Sequence, residues 1–276
     1  MKKSVGPRYL FFLLWPVLVV GILWSLDSVT HGLLDFSTRK WIDIPFLEAS
    51  WAYAVLHVFT IVPVFALSFD KKVHYYAFWP RLFPAILIMG ALFIIWDAFF
   101  GYVGVWGFNS RYLLGGRLLG LPWEEWLFFV TVPFGSFFIY ACLNAYFPGD
   151  PFARFDKSIT LFLVALLLFL GIIYVERLYT ATTFLLTGGF LMFHYIYVPN
   201  TFRTLFYRAY LLILIPFLLV NGVLTGACIT SPVVVYNPEE FMGFRIISIP
   251  VEDAVYGFLL LFGTVHLYQH FGKKNG

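Results

Sequence analysis

Apolar runs long enough to cross a bilayer follow one another along this chain, and they restrict its fold more than any single motif does. A membrane-spanning helix takes about 20 mostly apolar residues. Such runs occupy 9–26, 50–68, 82–100, 122–146, 158–174, 180–198, 209–227 and 250–271. The pattern predicts an all-α, polytopic membrane protein with about eight transmembrane helices. Hydrophobic residues make up 61% of the chain and charged ones only 12%, against about 25% charged in a soluble domain. So few charges cannot build a water-facing surface, so lipid must cover much of the protein.

The charges that remain report orientation. The N-terminal stretch, alternate loops and the C-terminus hold 12 of the 18 Lys and Arg residues. The positive-inside rule then puts both termini in the cytoplasm of a multi-pass cell-membrane protein. Lys2, Lys3 and Arg8 precede a first run that is too long for a signal-peptide core and lacks a small-x-small cleavage site. It reads as a retained first span. A net charge of +3, with no basic stripe, gives no sign of nucleic-acid binding. Cys142 and Cys228 fall on opposite sides of the expected topology, too far apart for a disulfide. No cysteine or histidine spacing suggests a metal site.

An internal repeat divides the chain into 1–149 and 150–276, with Pro148-Gly149-Asp150-Pro151 as the connecting loop. A shift of 128 positions brings Asn109 onto Asn237, Gly115 onto Gly243 and Arg117 onto Arg245. It also brings Pro122 onto Pro250, Glu124 onto Glu252, Gly135 onto Gly263 and Tyr140 onto Tyr268. Apolar bias does not generate matched Asn, Gly, Arg, Pro and Glu in one register. Repeats of four spans enter and leave on the same side, so the two are parallel, related by an axis along the membrane normal.

Each repeat ends with a polar loop, then Pro-x-Glu-(Glu/Asp), then a span: Pro122-Trp123-Glu124-Glu125 and Pro250-Val251-Glu252-Asp253. Proline followed by glutamate is an ordinary helix start, the carboxylate offsetting the positive end of the helix dipole. Duplication in register with the flanking Asn, Gly and Arg, at the head of membrane segments where ionisable groups are costly, favours a functional role. Helical spacing places Glu124 with Phe128, Thr131 and Gly135, and Glu252 with Tyr256, Leu259, Gly263 and His266. Glycine allows close helix approach, so these faces are expected to point inward. Glu124 and Glu252 are then the expected reactive carboxyls. Glu125 and Asp253, about 100° round the helix, are expected to point elsewhere.

These twin motifs, each heading a Phe/Tyr-rich span at the end of a repeat, resemble the membrane-integral lycopene cyclase family in its fused tandem form. The similarity covers roughly 50–270. The resemblance implies cyclisation of the linear ends of lycopene to β-ionone rings, through γ-carotene to β-carotene, by acid–base carbocation chemistry without redox change or cofactor. It implies Glu124 or Glu252 as proton donor, with Glu125 or Asp253 assisting or accepting. Trp96, Asp97, Asn109, Arg117, Trp123, Phe128, Asn221, Asn237, Arg245 and Tyr256 are the expected substrate-lining residues. Aromatic faces among them can stabilise a cation. Implied partners are lycopene or a related linear carotenoid, membrane lipid and other carotenoid-pathway enzymes. Asp97 and Asn221 align less securely, because the loops after them differ by four residues. Arg117 and Arg245 are expected to hold their loops. His57 and His194 are expected to bond neighbouring helices, and Glu239 and Glu240 to be solvated. Alternatives within the family are a C50 carotenoid cyclase and an ε- or γ-type ring. Outside it stand a transporter and a non-catalytic pigment-binding protein.

Overall fold

The computed structural model describes residues 21, 34–37 and 40–272. The expected span 9–26 lies, apart from Gly21, outside the described residues. Seven helices follow within them: α1 Ala52–Leu67, α2 Trp79–Val103, α3 Trp123–Tyr146, α4 Asp156–Ile173, α5 Leu178–Tyr197, α6 Arg203–Leu224 and α7 Val251–Gly272. Each matches one expected apolar run. The largest difference is at α6, which begins six residues before its run does. Its first turn carries Arg203, which is buried and paired with Asp156 of α4 through Nε at 2.8 Å and a second contact through Nη2. A buried, paired guanidinium sits in the first turn of a helix that apolar counting starts too late.

Four helical segments are long and apolar enough to cross a bilayer by length and composition: Tyr75–Val103, Trp123–Tyr146, Ala153–Ile173 and Arg203–Leu224. The protein is thus an all-α membrane protein. Helices α5 and α7 are as long but are buried round most of their circumference. Inner helices pack against protein instead of lipid, so they carry threonines, histidines and acids that lower their mean hydropathy. Helices α4 and α5 approach closely through glycine. A Cβ on Gly171 would come within 2.8 Å of the Leu185 side chain, and one on Gly188 within 3.0 Å of Leu168.

Three two-stranded ribbons cap one end of the bundle. Strands β2 (Arg117–Leu118) and β3 (Leu121–Pro122) form a hairpin, as do β5 (Arg245–Ile246) and β6 (Ile249–Pro250). Leu119 and Ile247, 128 positions apart, both take a positive φ, 54° and 61°, in the two turns. Strands β1 (Trp106–Phe108) and β4 (Val234–Tyr236) pair antiparallel between the repeats, with Gly107 opposite Val235. Those two residues are also 128 apart, so repeat equivalents face each other at the centre of the ribbon. The exchange continues outward symmetrically: Asn109 N–H donates to the Val233 carbonyl and Asn237 N–H to the Val105 carbonyl, both at 2.8 Å. A local two-fold axis therefore runs through this ribbon, and α3 and α7 both begin beneath it. Below the ribbon α1 packs on α3 and α5 on α7, while α2 packs on α7 and α3 on α6 across the repeats.

Candidate active site

Local backbone geometry presents the acidic pairs in the same way twice. Pro122, extended at ψ 154°, leads into α3. The first helical N–H of α3, on Trp123, donates to Gly116 O, and that of α7, on Val251, to Phe244 O, both at 3.1 Å. The acid that follows curls back onto its own loop. Glu124 Oε1 accepts the Leu114 N–H at 2.7 Å, and Glu252 Oε1 accepts the equivalent Met242 N–H at 2.8 Å. Glu252 Oε1 also accepts the Thr180 hydroxyl at 2.5 Å. Both glutamates are essentially fully buried, at 1% and 0% exposure.

The second acid of each pair meets tyrosine. Tyr53 of α1 donates to Glu125 Oε2 at 2.7 Å, and Tyr179 of α5 donates to Asp253 Oδ1 at 2.6 Å. Asp253 Oδ2 accepts two further bonds, from Tyr236 OH at 2.7 Å and Asn221 Nδ2 at 2.8 Å. Glu125 and Asp253 lie within electrostatic reach of each other. Asp97 of α2 lies within reach of Glu125, and Arg245 within reach of Asp253. Four acidic or amide side chains from α2, α3, α6 and α7 thus converge on one buried centre.

Aromatic rings enclose it. The Tyr256 ring lies 4.8 Å from Phe93, 5.0 Å from Trp96, 6.0 Å from Trp106 and 6.3 Å from Tyr179 between centroids. Asp97 Oδ2, Tyr256 OH and the indole nitrogens of Trp96 and Trp106 are buried with no hydrogen-bond partner among the described residues. A centre with carboxyls, unengaged polar atoms and ring faces, shielded from water, can give and take protons beside a carbocation.

The structure buries both members of each pair but gives them different partners. Glu125 and Asp253, expected to point elsewhere, face the shared centre, whereas the buried Glu124 and Glu252 bond their own loops through Oε1 and keep Oε2 without a hydrogen-bond partner among the described residues. The glycine faces do meet neighbouring helices, but α3 and α7 are packed on several sides. The position of Gly135 abuts Thr60 of α1, and that of Gly263 abuts Met89 of α2. Of the other expected lining residues, Trp96, Asp97, Asn221 and Tyr256 join the centre, with Arg245 at its edge. Trp123 does not: it is half-exposed outside, beside Gly116. Arg117 is also exposed, donating to Gly120 O at 3.1 Å, as Arg245 donates to the equivalent Ser248 O at 2.6 Å. Asn109 and Asn237 brace their loops, each accepting the N–H two residues on at 3.1 Å. Phe128 packs edge-on against Phe129 at 5.6 Å. His57 and His194 bond neighbours as expected: His57 Nδ1 lies 2.9 Å from Thr131 Oγ1, and His194 Nδ1 lies 2.9 Å from Arg203 Nη1. Glu239 is exposed, but Glu240 is not solvated. It is buried and accepts the Leu178 N–H at 3.0 Å, capping the start of α5.

Tyr53, Tyr179, Tyr236, Phe93 and Trp106 belong to the site without having been expected there. A signal existed for two of them. Allowing a two-residue gap between spans aligns Tyr53-Ala54 with Tyr179-Thr180.

Comparison with known proteins follows the same division. The family model described as lycopene cyclase matches the chain twice, over residues 49–143 and 176–271. Neither a curated protein nor a solved structure matches it.

Proposed function

This chain belongs to the lycopene cyclase family, and from that premise we propose that it closes the linear ends of lycopene into β-ionone rings, an isomerisation without net redox change. The observation that carries the reading is the convergence of Glu125, Asp97 and Asp253 from both repeats within one aromatic-walled centre. A carboxylic acid protonates the terminal double bond of the polyene. The tertiary cation so formed is attacked by a neighbouring double bond, closing a six-membered ring. A carboxylate then removes a ring proton and leaves the ring double bond. The proton gained and the proton lost cancel, so no electron carrier takes part.

Enclosure supports this chemistry. Water reaching the cation would capture it as an alcohol, and the ribbon and helices keep the centre buried. The faces of Phe93, Trp96, Trp106 and Tyr256 offer negative potential to the migrating charge. One centre serves one polyene end, so the two ends react in turn, through γ-carotene to β-carotene. The substrate enters from the bilayer, in which the protein sits with both termini in the cytoplasm.

Expression in lycopene-accumulating bacteria followed by pigment chromatography tests the proposal. The expected result is loss of lycopene with appearance of γ-carotene and β-carotene. Unchanged lycopene, with the full-length protein present in the membrane fraction, overturns it. Rings with a displaced double bond would retain the cyclase class but replace the β-specificity.

A further inference from the structure

The scaffold of the two repeats is symmetric at the site, but its hydrogen-bonding groups are not. Three equivalent positions differ, and all three differ in the same sense. Tyr236, which donates to Asp253 at 2.7 Å, corresponds to Phe108 in the first repeat, which has no donor. Asn221, whose amide donates to Asp253 at 2.8 Å, corresponds to Asp97, which lies within electrostatic reach of Glu125 and can donate only if it carries a proton itself. Thr180, which donates to Glu252 at 2.5 Å, corresponds to Ala54. The cations differ too. Arg245 stacks on Tyr236 and Phe241, at 5.6 and 4.7 Å, within reach of Asp253, whereas Arg117 faces outward.

The second repeat therefore surrounds its inner carboxyl with donors and a cation, an arrangement that receives negative charge. The first surrounds its inner carboxyl with one tyrosine hydroxyl and a second carboxyl. Two buried carboxyls within reach of each other repel when both are ionised, which favours one of them keeping its proton.

We propose that the two repeats divide the acid and the base between them: Glu125, beside Asp97, delivers the proton to the polyene end, and Asp253, within its ring of donors, removes the ring proton. This assignment rests on the cyclase reading and refines it. The steps balance. Glu125 loses a proton as the new C–H bond forms, the C–C bond closes the ring, and Asp253 gains the proton released with the new double bond. Turnover is complete when that proton returns from Asp253 to the Glu125–Asp97 pair, its near neighbour across the axis. One fused chain thus holds a single composite centre in place of two equivalent ones.

The test compares Glu125→Gln with Asp253→Asn in lycopene-accumulating bacteria. Each protein is quantified in the membrane by immunoblot, and pigments are resolved by chromatography and mass spectrometry. E125Q is expected to lower lycopene conversion on the order of 10²-fold, the residual product keeping the wild-type ring. D253N is expected to go on consuming lycopene but to divert the cation, giving displaced ring double bonds or hydroxylated ends. A second pair, Asp97→Asn and Tyr236→Phe, keeps both inner carboxyls and guards against misfolding. D97N should lower conversion without changing the ring, and Y236F should change the product ratio. The opposite pattern, or equal losses with unchanged products across both pairs, overturns the division while a converting wild type leaves the cyclase reading standing. A wild type that leaves lycopene untouched defeats the cyclase reading itself.

Discussion

Adjacent carboxyls at a helix start serve different ends here because they leave the helix about 100° apart. Glu124 and Glu252 turn back to backbone N–H groups in the loops before them, and Glu125 and Asp253 turn on to tyrosines. Spacing singled out both pairs. It could not show which member meets the other repeat, because that depends on where neighbouring helices sit. The loop-facing pair gives a discriminating prediction. Glu124→Gln and Glu252→Gln keep an oxygen for Leu114 and Met242, so activity should stay within a few-fold of wild type. Glu124→Ala and Glu252→Ala strand a buried N–H at a cost of about 1–3 kcal/mol, and should lose both activity and thermal stability. Parallel assays of the four variants check this. Glutamine as harmful as alanine, in proteins equally stable, would show that these carboxyls donate protons after all.

At the scale of elements, the segment before α1 is clasped by an acid. Glu48 accepts the Tyr112 hydroxyl at 2.8 Å, pairs with Arg111 at 3.1 Å, and accepts the Thr230 N–H. Burial pushes its carboxyl up, but these bonds and the guanidinium outweigh burial and hold it below the ordinary range. A depressed folded value means that the clasp stabilises the protein above the unfolded carboxyl range and loses that contribution as pH falls through the folded value. Wild type should therefore lose thermal stability on acidification below about pH 4.3, and Glu48→Gln should lose less over the same interval, as followed by melting in detergent. This clasp also explains why the repeat alignment slips. Nine residues separate α6 from β4, against two between α2 and β1, and the longer stretch includes Ala227 and Cys228, whose carbonyls accept N–H groups from Trp41 and Ile44. Apolar runs made the helices legible to within a few residues, except at α6, where a buried Arg203–Asp156 pair imitated a loop.

For the molecule as a whole, the duplication was legible because polar and glycine positions recur in register, and the hairpins, turns and crossed strand bonds repeat at the same interval. What could not be read was the convergence itself. Tyr53, Tyr236, Phe93 and Trp106 are ordinary aromatics in a chain with 34 Phe and 17 Tyr, and only three-dimensional packing gathers them. The packing of α2 on α7 and α3 on α6 makes the two halves mutual partners. Chains cut after Gly149 and co-expressed should copurify and convert lycopene, and either half alone should convert none; activity from one half would refute a composite centre. The pairing of Gly107 with Val235 also has a consequence in time. A ribosome completes the first strand long before its mate exists, so β1 must wait with an open edge and Glu125 without its opposite number. The composite centre is complete only after the last helix, which carries Asp253, has been made.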